Sequence, residues 1–412
     1  MKLKRLSLTN FRNFARLDVD IPGGPVLLVG GNAQGKTSLL ESIYYTATFV
    51  SFRANHDRQI VNFLINKESL AVARVKLDFC YTSNYPDSGI KEITTQRIEV
   101  RLILESKNSN NIKRFRKEIL LDGVKRKASE VLGAFNAVLF LPQMLRIVEG
   151  GPDERRRYIN IAMSQVLPRF AMNLSEYRRI VSQRNALLKQ INERGGDKKQ
   201  LDYWDEQLSK IGAYIIHNRI QVLQNLERLA SRIHGELTQG KEVLRFDYKP
   251  SYNPISHSRQ YTLPLESPIL GAKISLKEIQ NGFVNELRKM QSEEIRRGVT
   301  TIGPHRDELR FLSNGIDLGE FGSRGQARTA VLALKFAEVE WMKMNTGQWP
   351  VILLDEVLSE LDPIRRLDLL SRLKESEQVL ITTTDLDLFK SDFSQNVVIW
   401  QIENGRVSEL NK

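Results

Sequence analysis

The chain has one cysteine and five histidines in 412 residues, and no apolar run approaches the length needed to cross a membrane. The lone Cys80, following the alternating residues Val75, Leu77 and Phe79, cannot close an internal disulfide. It fits a buried strand position in a reducing compartment, so a cytoplasmic protein with no membrane contact is expected. Residues 1–10 alternate Leu3, Leu6 and Leu8 with lysines instead of presenting an apolar core before a cleavage site, and no leader is expected. His305 has no companion histidine or cysteine at ligand spacing, which points to a structural hydrogen bond and away from a transition-metal site. No zinc-finger pattern, recognition helix or aromatic stacking motif is present, so base-specific reading of nucleic acid is not expected. Internal repeats and low-complexity tracts are missing as well.

What is present is ordinary globular material with an excess of positive charge. At 412 residues the chain is too long for one small core, and two lobes are expected. Lysine plus arginine number 61 against 49 aspartate plus glutamate, a formal balance of +12 whose field attracts polyanions. Strand-like apolar content appears at residues 3–28, 70–79, 97–104 and 115–121, with polar loops expected over 82–89 and 106–111. From about 153 to 240 turn signals almost vanish, and helices are expected. Leu201, Trp204, Leu208, Ile211, Ile215, Val222, Leu226, Leu229 and Ile233 follow steps of three and four, with a stutter after Val222, which predicts a short coiled hairpin. A third helix is expected over 275–297, and 351–354 and 378–382 read as buried parallel strands. The expected fold is therefore α/β: one lobe built from both ends of the chain, residues 1–150 and 300–412, with a helical lobe and antiparallel arm, 151–299, inserted between them.

The chemistry is concentrated in a few short segments. Gly30-Gly31-Asn32-Ala33-Gln34-Gly35-Lys36-Thr37 is a complete P-loop after a predicted strand and before a predicted helix that opens at Ser38. Its glycines let successive amides face phosphate, Lys36 reaches the β and γ phosphates of ATP, and Thr37 is a magnesium ligand. Residues 351–354 are wholly apolar and end in Asp355-Glu356, the form of a Walker B strand. Asp355 suits the Mg2+ shell and Glu356 suits a general base acting on water. Gly322-Ser323-Arg324-Gly325-Gln326 opens a helix some thirty residues earlier, and Ser359-Glu360-Leu361-Asp362 follows the Walker B strand. In this order the four segments resemble the ABC ATPases, in which Ser323, Gly325 and Gln326 would be signature residues and Asp362 would belong to the D-loop.

That resemblance implies two heads sandwiching two ATPs, since the signature and the P-loop of one ABC chain lie too far apart to share a nucleotide. Gln143 stands where a Q-loop glutamine would couple magnesium to the second lobe, or is a surface residue after Pro142. Arg12 either reaches the phosphates or braces the fold. Where transporter ATPases carry a switch histidine, Thr382, Thr383, Thr384 and Asp385 stand instead. Together with the arm and the positive balance, this departure opposes the rival reading, the nucleotide-binding subunit of an ABC transporter. The segments 10–14 (NFRNF), 152–157 (PDERRR), 183–185 (QRN) and 303–307 (GPHRD) narrow the likeness, over essentially the whole chain, to the RecF family of SMC-like ABC ATPases. The resemblance implies ATP-dependent binding of single-stranded, gapped and duplex DNA, an ATP-dependent homodimer, slow DNA-stimulated hydrolysis, and RecO and RecR as partners in loading RecA. Basic clusters at 113–117, 125–127, 155–157 and 178–184 are candidates for salt-sensitive phosphate contacts.

Overall fold

The computed structural model describes residues 1–65, 68–84, 91–107, 112–255, 268–271, 273–389 and 397–410. The chain forms two compact units, one of Met1–Gln143 with Met342–Lys412 and one of Met144–Trp341.

The first unit holds two six-stranded sheets. One is antiparallel, in the order β2-β1-β4-β5-β6-β7, from β1 (Lys2–Phe11), β2 (Phe14–Asp20), β4 (Leu70–Asn84), β5 (Lys91–Lys107), β6 (Ile112–Leu121) and β7 (Val124–Arg126). Its period-two pattern is clear in β4, where Ala71, Ala73, Val75, Leu77 and Phe79 are all buried. The loops expected at 82–89 and 106–111 fall partly on 85–90 and 108–111, outside the described residues, and the strands run further into them than the pattern predicts. The other sheet has the order β15-β14-β3-β13-β12-β8, from β3 (Gly24–Val29), β8 (Ala137–Phe140), β12 (Val351–Asp355), β13 (Gln378–Thr383), β14 (Val398–Glu403) and β15 (Arg406–Glu409). All neighbours in it are parallel except β15. Every residue of β8, β12 and β13 is buried, which is why the middle of each strand reads as an apolar run. Gln378 helps tie the chain's two ends: its buried amide accepts from Leu3 N at 2.7 Å and donates to Leu3 O and Pro22 O at 2.9 and 2.8 Å.

Helix α1 (Lys36–Thr48) packs on strands of both sheets and is buried on nearly every face. Two of its hydroxyls are satisfied within the helix, Ser42 and Thr46 donating back to Leu39 O and Ser42 O at 2.7 and 2.8 Å, and the fully buried Glu41 is paired with Arg12. The short α2 (Ala128–Val131) and, after the Walker B strand, α10 (Pro363–Leu373) complete the unit.

The second unit is mainly helical: α3 (Arg146–Glu149), α4 (Pro152–Val166), α5 (Phe170–Arg194), α6 (Gln200–Leu237), α7 (Pro268–Gly271), α8 (Leu276–Arg297) and α9 (Arg324–Thr346), whose last residues pass into the first unit. A small antiparallel sheet joins β9 (Leu244–Lys249), β10 (Glu308–Ser313) and β11 (Ile316–Asp317). Because β10 pairs with β9, residues 300–341 group with the helices, and the second joint falls at 341/342, later than the sequence pattern suggests. Helices α5 and α6 form the hairpin, and Leu201, Leu208, Ile215, Val222, Leu226, Leu229 and Ile233 are buried. Trp204 and Ile211 are only half-buried, whereas Gly212, Ile216, Arg219 and Leu223 are buried. Helix α8 packs along α6 as a third helix, so α6 has two inner faces where the heptad predicted one.

Two buried ion clusters fix this unit. Arg184 on α5, fully buried, meets Asp205 of α6 at 2.7 Å and Glu294 of α8 at 2.6 Å. Arg219 of α6 meets Asp307 at 2.7 Å and Pro304 O at 2.8 Å, and Asp307 also accepts from Tyr248 of β9. Gly303 needs its positive φ of +120°, and a Cβ there would meet the Tyr177 hydroxyl at 2.3 Å. His305 shares a 2.8 Å hydrogen bond with that hydroxyl, and burial pushes the imidazole down to about 4, so it is neutral at physiological pH.

Removing one side of a buried ion cluster leaves uncompensated charge, so Arg184→Met, which strands Asp205 and Glu294, should destabilise the protein by roughly 3–5 kcal/mol. A urea denaturation midpoint indistinguishable from the parent would refute the structural role.

Candidate nucleotide site

The site begins where β3 ends. Residues 30–35 form the loop and α1 starts at Lys36, with Gly35 as N-cap and no side-chain cap, so the first amides of the helix face the cleft. Gly35 has φ +121°, and a Cβ there would meet Asn13 Nδ2 at 2.8 Å and the Phe14 ring at 2.9 Å. Gln34 anchors the loop, accepting from Asn404 N at 2.7 Å through its side chain and from Asn13 and Gly405 through its carbonyl at 3.1 Å. The buried Lys36 ammonium donates to Gly30 O at 2.6 Å and Gly31 O at 3.2 Å and lies 3.3 Å from the Glu356 carboxylate. Gly31, Asn32, Ala33, Gly35, Lys36, Thr37 and Ser38 line a cleft of about 410 Å³ with Glu356, a volume in the range of ligand pockets.

The order β3-β13-β12 brings the carboxylates to the loop. β13 lies between the strand that feeds the P-loop and the Walker B strand, with Thr382 opposite both Leu28 and Asp355. All three strand ends point the same way, at the carboxyl edge where open parallel sheets bind ligands. Asp355 Oδ1 accepts from Thr37 at 2.9 Å and from Thr382 at 2.8 Å. Burial pushes its carboxyl up from the usual range, opposed by those two hydroxyls. The Thr37 hydroxyl and the Asp355 carboxylate are a hard oxygen pair of the kind magnesium takes, so the residues fit that ion. Glu356 sits next, at φ +54°, an uncommon conformation for a side chain of this size. Its amide donates to Thr382 Oγ1 at 2.9 Å, and its carboxylate is 41% exposed, free to meet a water. One threonine thus holds Asp355 and Glu356 together, at the position where the sequence showed only a missing histidine.

The remaining expected residues are placed unevenly. Arg12 lines the cleft, but it donates to Glu41 through Nε and Nη2 at 2.8 and 2.6 Å and to Gln59 O through Nη1 at 2.9 Å, so it braces the fold whatever else it does. Gln143 is exposed on the 3-10 turn after β8, at the same end of the sheet as Asp355 but outside the cleft lining. Asp362 is the N-cap of α10, accepting from Ile364 N and Arg365 N at 3.1 Å each, and these bonds hold its carboxyl below the usual range. Ser323 and Gln326 form a reciprocal cap at the start of α9, with Gln326 N donating to Ser323 Oγ at 3.2 Å and Ser323 N to Gln326 Oε1 at 3.1 Å. Gly322 is required there, since a Cβ would meet Leu318 O at 2.6 Å, and Gly325 is half-buried in the first turn. Ser323, Gly325 and Gln326 belong to the second unit and the P-loop to the first. Arg53, Gln59, Val61 and Phe63 also line the cleft, although no motif or spacing marks them in the sequence.

The basic clusters lose much of their apparent charge. Lys117 is held by Asp57 at 3.0 Å and Phe49 O at 2.9 Å, with its pKa lowered by burial. Lys125 pairs with Glu118 at 2.9 Å, Arg155 with Glu308 at 2.9 Å, Arg156 with Asp153 at 2.6 Å and Arg179 with Glu176 at 2.5 Å, and Arg184 is fully buried. Arg114, Arg126, Lys127 and Arg178 remain exposed, and the Lys113 side chain lies outside the described residues.

Thr382→Val keeps the shape of the β13 end but removes the hydroxyl shared by Asp355 and Glu356. Losing such a bond costs about 1–3 kcal/mol, so ATP turnover should fall by roughly ten-fold or more with nucleotide affinity little changed, and Thr382→Ser should restore it. Steady-state hydrolysis alongside equilibrium ATP binding checks this, and unaltered turnover in the valine variant would count against the positioning role.

Comparison with known proteins agrees with this architecture. The family model for the RecF/RecN/SMC N-terminal domain matches residues 2–408. The chain is similar to the DNA replication and repair protein RecF of Ligilactobacillus salivarius, 34% identical over 418 residues covering 100% of this chain and 98% of that protein. It is also similar to the protein of the same name from Pediococcus pentosaceus, 36% identical with 98% of each covered. Among solved structures it resembles the recombination mediator protein RecF-ATP of the RecFOR pathway, with a TM-score of 0.80 and 30% identity over 99% of this chain and 97% of that one. A second solved structure of that mediator, RecF-ATPrS, gives a TM-score of 0.79. Full-length coverage by sequence and by fold, on a chain whose P-loop and Walker B strand converge as described, places this protein in the RecF family of SMC-type ABC ATPases.

Proposed function

We propose that this chain is an ATP-regulated DNA-binding protein of recombinational repair and replication recovery, acting in the cytoplasm. It binds single-stranded, gapped and duplex DNA through phosphate contacts, dimerises on ATP, and uses slow, DNA-stimulated hydrolysis to reset the dimer without chemistry on the DNA. With RecO and RecR it supports RecA loading and SOS induction. The observation that carries this reading is the meeting of Lys36, Thr37, Asp355, Glu356 and Thr382 around one cleft.

The geometry of the cleft supports the following roles. Gly30 to Ser38 cradle the phosphates with backbone amides, and Lys36 exchanges its carbonyl partners for phosphate oxygen. Thr37 and Asp355 hold Mg2+, which when bound neutralises phosphate charge and polarises the γ-phosphoryl group. Glu356 acts as base, positioned through its amide by Thr382. Ser323, Gly325 and Gln326 present the capped start of α9 to a nucleotide on a second copy, and Asp362 shapes the segment between the Walker B strand and α10. Arg12 supports the phosphate wall through Glu41, and Gln143 serves as the Q-loop glutamine after β8.

Lys36→Met should weaken ATP binding, prevent dimerisation and remove ATP-dependent retention on DNA. Glu356→Gln should keep ATP affinity while hydrolysis falls by about 10² to 10⁴, the usual worth of a general base, and should dissociate from a gapped duplex more slowly than the parent when competitor DNA is added. If Glu356→Gln hydrolysed ATP normally, or left DNA as fast as the parent, the link between hydrolysis and release would fail. Ser323→Arg should leave ATP binding by the monomer intact yet keep the molar mass at the monomer value in light scattering. A dimer formed by that variant with saturating ATP would contradict the sandwich.

A further inference from the structure

Part of the cleft lining is explained by the motifs and part is not. Beyond residues 31–38 and Glu356, the lining consists of Arg12, Asn13, Arg53, Gln59, Val61 and Phe63. In that set only Val61 and Phe63 are apolar. Val61 is buried, with its backbone bridged to Phe11, whereas Phe63 is 73% exposed. An aromatic ring left in water at the edge of a polar cleft loses about the transfer free energy of its surface unless something covers it.

The segment that presents Phe63 is pinned from both sides. Ile60 O accepts from Arg12 N at 2.8 Å, Gln59 O accepts from the Arg12 guanidinium at 2.9 Å, and Asn62 N donates to Asn10 O at 2.8 Å. Asn62 is itself buried, and its side-chain oxygen accepts from Leu64 N at 2.9 Å. The backbone leading into Phe63 is therefore held by the N-terminal hairpin, and Phe63 lines the cleft. The polar groups nearby are largely committed: the Gln59 side-chain oxygen accepts from Asn55 N and His56 N at 3.0 and 3.3 Å, and Arg12 is paired with Glu41.

We propose that Phe63 is the platform on which the nucleotide base stacks, with Val61 beside it, and that base preference comes from stacking area more than from hydrogen bonds to the base edge. This rests on the reading of the cleft as an ATP site. It assigns the chain a preference for purine over pyrimidine triphosphates, with little discrimination between adenine and guanine, because a purine offers more ring surface to the phenyl face.

The test is calorimetric titration of the full chain with Mg-ATP, Mg-GTP, Mg-CTP and inorganic tripolyphosphate, which shares the phosphates and lacks the base. Base stacking on an aromatic side chain is worth about a factor of ten upward when truncated, so Phe63→Ala should lose roughly ten-fold or more in ATP affinity and bring ATP and CTP close together. Its tripolyphosphate affinity should not change, and Phe63→Trp should bind ATP at least as tightly as the parent. An unchanged ATP affinity in Phe63→Ala, or an equal loss for tripolyphosphate, would overturn the proposal while leaving the ATP site in place. Loss of ATP-dependent dimerisation with ATP affinity intact would give Phe63 to a subunit contact and overturn it as well. A parent chain that binds neither ATP nor tripolyphosphate would remove the nucleotide reading itself.

Discussion

The site depends on one carboxylate oxygen that two hydroxyls share. Asp355 Oδ1 receives Thr37 from the first turn after the P-loop and Thr382 from the end of β13, and Thr382 in turn accepts from the amide of Glu356. These bonds exist because β13 is inserted between β3 and β12, so that segments 318 residues apart meet at one sheet edge. A histidine at position 382 could not make the same pair of short bonds from within a buried strand end, where only a hydroxyl both donates and accepts at one atom. The replacement is thus coupled to how this head holds its acids, and it separates the chain from the transporter subunits that share the other motifs.

Around that centre the first unit is organised to bury α1 between two sheets. The helix that carries Lys36 and Thr37 has almost no solvent face, so its register is fixed by packing and its polar groups must be satisfied locally. Glu41 shows the cost of this arrangement. A fully buried acid on α1 is compensated by Arg12 from the β1–β2 turn, which in doing so stiffens one wall of the cleft and the backbone of residues 59–62. The same turn therefore supports the P-loop through Asn13 and residues 59–60 of the cleft lining through Arg12.

Charge in the second unit is used for internal registry as much as for surface field. Arg184 and Arg219 each join elements distant in sequence through buried carboxylates, and the segment 303–307 reads as architecture: a glycine with positive φ, a neutral histidine bonded to Tyr177, and Asp307 receiving Arg219 and Tyr248. The formal balance of +12 consequently overstates what any one cluster offers to a polyanion, since several of the arginines and lysines that look free in the sequence are paired or buried. The exposed remainder, with Arg114, Arg126, Lys127 and Arg178 among it, is scattered over both units.

The sequence by itself determined the elements whose signals are local. The P-loop, the Walker B strand and the buried parallel strands are legible because glycine and apolar-run requirements act within a few residues. Heptad spacing likewise showed one inner face of α6. The second face, where Gly212, Ile216 and Leu223 are buried and α8 packs, was hidden because periodicity reports burial without saying how many neighbours cause it. Only tertiary structure decided that Lys117 and Arg184 are interior, that residues 300–341 group with the helices through β9–β10 pairing, and that Arg53, Val61 and Phe63 line the nucleotide cleft. Strand order decided the last step. The place of β13 between β3 and β12 is a long-range choice, and it is that choice which turns Thr382 from an ordinary strand residue into the link between Asp355 and Glu356.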